Sequence, residues 1–356
     1  MNFHLLRALE SKLGTAIQIA PVEAKEEIVS KWISRFQKRL RIPRDYVHFS
    51  DARLMTFANL VETRLSSVGQ RPAVFFGALP FVKCRPEQPF YIYTDGAFFI
   101  HYFEYNQDHS HARSEITRIC QAEADFMRRA SRIWCSSQWV AGRIAREYDI
   151  AVDRVICVGT GPGNVPPAIE PFCYENYLVM IAADFERKRG RLAVESVKEA
   201  RNRGSAVRIK VIGAKPPDDL MNLDFVEWCG WLDLQNTKDR AIFADVMSRA
   251  GAHIILSRAD LTPLVILEAA TYSKATLATA VGGIPEMISD GRTGLLFDPK
   301  ADATAVGKEI ADLFRNPARL QQMGLAAREF QKSNWSWDAV ANRATESMHR
   351  NMEQPL

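Results

Sequence analysis

The stretch LSRADLTPLVILEAATYSKATLATAVGGIPEM, residues 256–287, sets two carboxylates, Asp260 and Glu268, eight positions apart. AHIILS (252–257) reads as a strand, so Asp260 falls in the loop after it. Pro263 suits the first turn of a helix, where its missing N–H is not needed. The helix then runs through LVILEAATY, with Glu268 about a turn and a half inside. Backbone N–H groups near Leu264 and Val265, with Thr262 beside them, stand at the positive end of this helix and make an anion site. Each acid can accept hydrogen bonds from a pair of hydroxyls. After the next strand, Gly282 and Gly283 give backbone that can approach an anion closely, since glycine has no side chain. Diols flanking a diphosphate describe a nucleotide-sugar.

Outward from this stretch, short apolar runs alternate with amphipathic segments along the whole chain. Helices are expected at 2–12, 23–41 and 112–130, and strands at 15–20, 73–76 and 90–94. RIWCSS (132–137) reads as a strand, SQWVAGRIAREY as a helix and DRVICVG as a strand. GPGNVPPAIEPF (161–172) breaks the pattern with four prolines and two glycines and reads as a linker. The alternation then restarts. LVMIAA, VRIKVIG, FVEWCGWL, AHIILS and ATLATA are strands, GRLAVESVKEARNRG is a helix ended by Gly204, and WSWDAVANRATESMHRNM is a last amphipathic helix. Such alternation implies α/β domains whose parallel sheets carry helices on both faces. Ligands then bind at the carboxyl ends of the strands. The expected division is an N-terminal domain over 1–164, a linker over 165–176, a C-terminal domain over 177–334, and a final helix, 335–356, packing back towards the N-terminal domain.

The bulk numbers fit this. The chain has 356 residues, enough for two domains, with 47% hydrophobic and 25% charged residues. A net charge of +4 is too weak to argue for nucleic acid. Six scattered cysteines without a CxxC pair read as reduced residues of a reducing, cytoplasmic compartment. The amphipathic start lacks the apolar core of a signal peptide, and no 18-residue apolar run spans a membrane. Asn334-Trp335-Ser336 is a chance sequon. His109-Ser110-His111 beside Asp108 reads as a solvated loop in preference to a metal site. The segment 30–44 carries Lys31, Arg35, Lys38, Arg39, Arg41 and Arg44, with Trp32, Ile33, Phe36 and Leu40 at helical spacing. A basic amphipathic helix can lie on an anionic membrane or guide a lipid-linked acceptor. The favoured reading is a core helix with a charged outer face.

The segment with Asp260, Glu268, Gly282, Gly283 and Glu286 resembles the acid-x7-acid signature of the retaining glycosyltransferases of family 4. LVMIAADFERKRGRLAVE resembles that family's first donor-domain strand and loop, with Lys188 at the diphosphate lysine. YTDGAF, the helix with Glu123, CSSQWVAGRIAREY and VGTGPGN resemble its acceptor domain. The resemblance covers nearly the whole chain and implies the GT-B fold, two doubly wound Rossmann-like domains facing across a cleft. It implies a hexosyltransferase moving a sugar from a nucleotide-diphosphate donor to the hydroxyl of an unknown acceptor, with no metal and no cofactor beyond the donor. By it, Lys188 and the helix start hold the diphosphate, and Glu268 binds the ribose. Asp260 faces the sugar ring, and main chain around Gly230 and Trp231 meets the base. Front-face attack is expected, the leaving phosphate taking the acceptor's proton.

Four departures stand out. Asp260 takes the place of the family's usual Glu. Ala183 takes that of an Arg on the diphosphate, for which Arg187 is the nearby substitute. Asp95, with His101 six residues on, takes that of a His near the donor sugar. The helix at 2–12 has no strand and Gly-rich turn before it, so the N-terminal sheet is expected to lack its first strand. Ala183 and that strand also admit a catalytically impaired relative that binds nucleotide-sugar or a protein partner. A dinucleotide-dependent oxidoreductase is disfavoured: Gly159, Gly161 and Gly163 follow a strand, but VPP stands where a helix must start.

Overall fold

The computed structural model describes residues 2–14, 49–67, 69, 71–105, 111–170 and 174–353. The expected strand at 15–20, the helix at 23–41, the basic segment 30–44, Asp108, His109 and Cys173 lie outside them. The chain divides into two compact units, one of Thr160–Val340 with Phe3–Leu5, the other of Leu6–Gly159 with Ala341–Leu356. The stretch read as a linker, 165–176, falls within the first.

The Thr160–Val340 unit is built on six parallel strands. They are β5 (Tyr177–Ala182), β6 (Arg208–Gly213), β7 (Val226–Gly230), β8 (Ala252–Ile255), β9 (Thr276–Thr279) and β10 (Gly294–Phe297). β1 to β4 belong to the other unit. The spatial order is β10-β9-β8-β5-β6-β7. The chain lays down β5, β6 and β7 in one direction, then returns to place β8 on the other side of β5. The order therefore reverses between β5 and β8, and a crevice opens at that point in sheets of this kind.

β5 shows why the sheet is covered twice. Leu178 and Met180 join the apolar cluster that includes Ile209, Ile254 and Leu277. Tyr177 and Val179 point the other way, into a cluster with Phe243, Met247 and Tyr272. Alternate residues thus serve opposite faces, and both are buried, so the strand reads as an unbroken apolar run. The helix Gly190–Asn202 buries Ala193, Val194, Val197 and Ala200, one stripe at helical spacing. Gly204, at φ +86°, follows its end, where a left-handed residue closes the helix. Asn236 and Asp302 cap the helices Thr237–Arg249 and Ala303–Phe314 through side-chain oxygens.

The second unit carries four parallel strands in consecutive order: β1 (Ala73–Phe76), β2 (Phe90–Thr94), β3 (Arg132–Cys135) and β4 (Val155–Cys157). Its core is aromatic: Phe75, Phe90 and Phe126 lie with ring centroids 5.1–5.5 Å apart. The fully buried Trp134 donates from Nε1 to Ser347 Oγ at 2.7 Å, tying the end of the last helix, Trp337–Glu353, into this core. After β4 no helix forms among residues 158–170. A pyrophosphate-binding helix N-terminus is thus missing there, which removes the dinucleotide reading of the three glycines. Among the described residues, the five cysteines 84, 120, 135, 157 and 229 are all free thiols. No described helix is long and apolar enough to cross a membrane.

Candidate functional site

The reversal between β5 and β8 sets two loops side by side. The loop after β5, Ala183–Arg189, is a tight turn. Lys188 N donates to Asp184 O at 3.1 Å and Arg187 N to Asp184 Oδ1 at 3.0 Å. Phe185 folds inward, its ring lying where a Cβ on Gly190 would sit, so only glycine allows the following helix to start there. The loop after β8 runs from Leu256 to Pro263. Arg258 N donates to Arg187 O at 3.0 Å, and Arg187 donates from its guanidinium to Ala259 O at 2.9 Å. The two loops are therefore one hydrogen-bonded unit.

Within it, the buried Lys188 ammonium donates to Asp260 Oδ2. Ser257 Oγ donates to the same oxygen at 2.8 Å, and Arg187 Nη1 lies 3.5 Å from it. Burial holds Lys188 below the usual lysine range; Asp260 pulls it back up and Arg187 pushes it further down. His253, on β8, is fully buried and was not singled out in the sequence. Burial, with Lys188 nearby, pushes its imidazole down to about 3, so it is neutral. Its Nδ1 lies 3.2 Å from Thr276 Oγ1.

The helix expected after Pro263 is present as Leu264–Thr271, and Pro263 stands one residue before its first turn. Glu268 is half-buried and takes a hydrogen bond from the Gly163 N–H. A Cβ on Gly163 would fall 2.3 Å from Glu268 Oε1, so the strap 160–163 passes against this carboxylate with no room for a side chain. The strap is held by Trp337, whose Nε1 donates to Pro162 O at 2.9 Å. A Cβ on Gly161 would lie 2.6 Å from its indole. Burial pushes Glu268 up to about 7, with Gly163 and Lys188 opposing.

The glycine pair does something the sequence did not reveal. Gly282 sits at φ +55°, and a Cβ there would stand 1.8 Å from the Asp260 carbonyl oxygen. Gly283 N donates to Leu261 O at 2.8 Å. The turn after β9 thus closes on the Asp260 loop itself, and its glycines permit that backbone-to-backbone approach.

The remaining expected residues are dispersed. Gly230, at φ +87°, ends the edge strand β7, and Trp231 beside it is 65% exposed. Thr262, Leu264 and Val265 line the helix start and are half-buried. Ala183 is exposed at the end of β5. Asp95 and His101 lie in the other unit, after β2, with His101 Nε2 3.9 Å from Asp95 Oδ1. Behind them the buried Glu123 accepts from Phe98 N at 2.7 Å and Tyr148 OH at 2.5 Å, which fixes the turn that carries Asp95.

Residues 175–316 match the family described as Glycosyl transferases group 1. The alpha-maltose-1-phosphate synthase of Mycolicibacterium smegmatis is 33% identical over 107 residues, 29% of this chain and 28% of that protein. The match therefore spans under a third of that relative's length. Among solved structures, TarM superposes with a TM-score of 0.65 at 14% identity, over 83% of this chain and 58% of the other. Anabaena HepE in complex with UDP gives 0.60 at 13% identity, over 82% of each chain. At such identities the structures establish the fold alone: α/β with two parallel sheets, GT-B-like. The part of the chain from β5 to the helix Ala303–Phe314 is thus similar to the glycosyl transferases group 1 family.

Proposed function

We propose that this protein is a retaining glycosyltransferase that moves a hexose from a nucleotide-diphosphate sugar to an acceptor hydroxyl. The observation that carries the reading is the hydrogen-bonded joining, at the β5/β8 reversal, of the loop bearing Lys188 and Arg187 to the loop that leads into the helix Leu264–Thr271, with Glu268 one turn inside that helix. Cleaving a glycosyl–phosphate bond leaves negative charge growing on phosphate. A fixed ammonium and oriented N–H groups stabilise that charge as it forms, each donor of this kind contributing about 3–4 kcal/mol in other enzymes. Lys188, Arg187 and the amides near Thr262, Leu264 and Val265 take this role. Glu268 receives the ribose hydroxyls, and main chain at Gly230 with the exposed Trp231 meets the base. Asp95 and His101, in the unit that places the acceptor, are assigned to the reacting end of the donor sugar. The family match and the UDP seen in Anabaena HepE support a nucleotide donor.

Titration with UDP-, GDP- and ADP-sugars by calorimetry tests the binding, and the anomeric configuration of the product, read by NMR, tests the reaction. We expect one donor series to bind and the product to keep the donor's configuration. An inverted product overturns the retaining mechanism. Ala183, exposed where a second phosphate-binding cation would stand, favours one other reading, a relative that binds nucleotide-sugar without transferring it. That reading is distinguished by binding without turnover across an acceptor screen.

A further inference from the structure

We infer that Asp260 is the resident counter-ion of the diphosphate cradle, a positioning residue that holds Lys188 and Arg187 and gives them up to the donor's phosphates. This rests on the donor reading above and moves Asp260 from the sugar end of the donor to the phosphate end. The Asp260 side chain is 7% exposed, and the contacts of its Oδ2 describe its task. That oxygen takes the Lys188 ammonium and the Ser257 hydroxyl, at 2.8 Å for the latter, and lies 3.5 Å from the Arg187 guanidinium. Ser257 is fixed in turn, because Thr279 Oγ1 donates to its carbonyl at 2.6 Å. The main chain of Asp260 is fixed as well, since Gly282 closes on its carbonyl oxygen with no space for a Cβ. The carboxylate thus stands on a loop braced by its neighbours, within reach of the two cations expected to meet the diphosphate.

The consequence is electrostatic. A carboxylate within reach of both cations cancels part of the charge that draws a diphosphate, and it repels that diphosphate once bound. Its removal therefore tightens binding of phosphate-bearing ligands and leaves binding of the bare nucleoside alone. A carboxylate that serves the sugar gives the opposite pattern: the diphosphate is unaffected and the nucleotide-sugar is weakened.

The test is calorimetry on the full chain and its Asp260→Asn variant. The probes are UDP, GDP and ADP, the nucleosides uridine, guanosine and adenosine, and the three nucleotide-glucoses. The expected result is about tenfold tighter binding of the recognised diphosphate to Asp260→Asn. The matching nucleotide-glucose should gain by the same factor, and the nucleoside should be unchanged. Unchanged or weaker diphosphate binding, or a loss confined to the nucleotide-glucose, overturns the inference and leaves the donor reading in place. Wild-type protein that binds none of the three diphosphates overturns both. A second measurement reads the wild-type protein and does not depend on the folding of Asp260→Asn. In wild-type protein labelled with carboxyl-13C aspartate, the Asp260 signal is assigned by its loss in Asp260→Glu. It should move when the diphosphate is added and hold that position when nucleotide-glucose replaces it. A signal that moves only with the sugar overturns the inference.

Discussion

The two sheets of this protein place their candidate residues in opposite settings. In the six-stranded unit the strand order reverses between β5 and β8, and the loops at that point share a buried, charged network of Lys188, Asp260, Arg187 and Ser257. In the four-stranded unit the described strands follow one another in order. The candidate residues after β2 reach solvent: the Asp95 and His101 side chains are 55% and 39% exposed, with 3.9 Å between Asp95 Oδ1 and His101 Nε2. Under the proposed function this is a division of labour. One end of the reaction always involves the same diphosphate and calls for a fixed, dry cradle. The other meets an acceptor, and two partly exposed side chains, Asp95 on the turn after β2 and His101 on the helix Phe98–Tyr105, suit variable chemistry.

The comparison breaks most directly at Gly282. Gly282→Ala puts a Cβ against the Asp260 carbonyl and a side chain on a left-handed backbone, so we expect destabilisation of about 4 kcal/mol or more. The drop should appear in thermal unfolding followed by circular dichroism. Unchanged stability would mean that the loops of the six-stranded unit are not locked together.

Next in size is the charge itself. Lys188→Ala should weaken binding of the recognised nucleoside diphosphate about 100-fold, roughly 3 kcal/mol. His101→Ala should leave that affinity as it was and lower only turnover. Calorimetry with UDP, GDP and ADP reads the first effect, and a steady-state assay with the matching sugar reads the second. Equal losses of affinity in both variants would abolish the distinction between the two units.

The smallest effect sharpens the picture at Glu268. Its carboxyl is raised to about 7, so in the unliganded protein it holds a proton below that pH. Hydroxyl donors favour the ionised form, so binding of the ribose draws the carboxyl back down and releases the proton. Nucleoside affinity should therefore rise as pH increases from 6 to 8, about fivefold, and Glu268→Gln should be flat over the same range. A wild-type profile as flat as the variant's would remove Glu268 from the ribose.

Much of this arrangement could be read from the chain. The buried parallel strands announce themselves as apolar runs, and the acid, proline, helix and glycine order of 256–287 pointed to the loop and helix that follow β8 at the strand-order reversal. Gly204 marked the end of its helix. Contacts made across the fold were hidden. Lys188 and Asp260 are 72 positions apart, and nothing local says that one will neutralise the other. The Gly-Gly turn was expected against an anion and lies against the Asp260 backbone, because φ and neighbours are set by how the sheet brings loops together. Gly163 offers no side chain to interpret, yet its N–H reaches Glu268. The helix Asp51–Ser66 also went unanticipated. It buries only Leu54, Ala58 and Val61, too narrow an apolar stripe to stand out.

The indole of Trp337 leaves one further mark. It fills the space a methyl group would need at position 161 while gripping the carbonyl of Pro162, 175 positions away in the chain. These sites are thereby bound to a shared history: a bulkier residue at 161 is tolerated only after 337 has shrunk, and a shrunken 337 loosens its hold on the strap. Homologues should consequently exchange the two together, leaving a covariation signature between distant alignment columns.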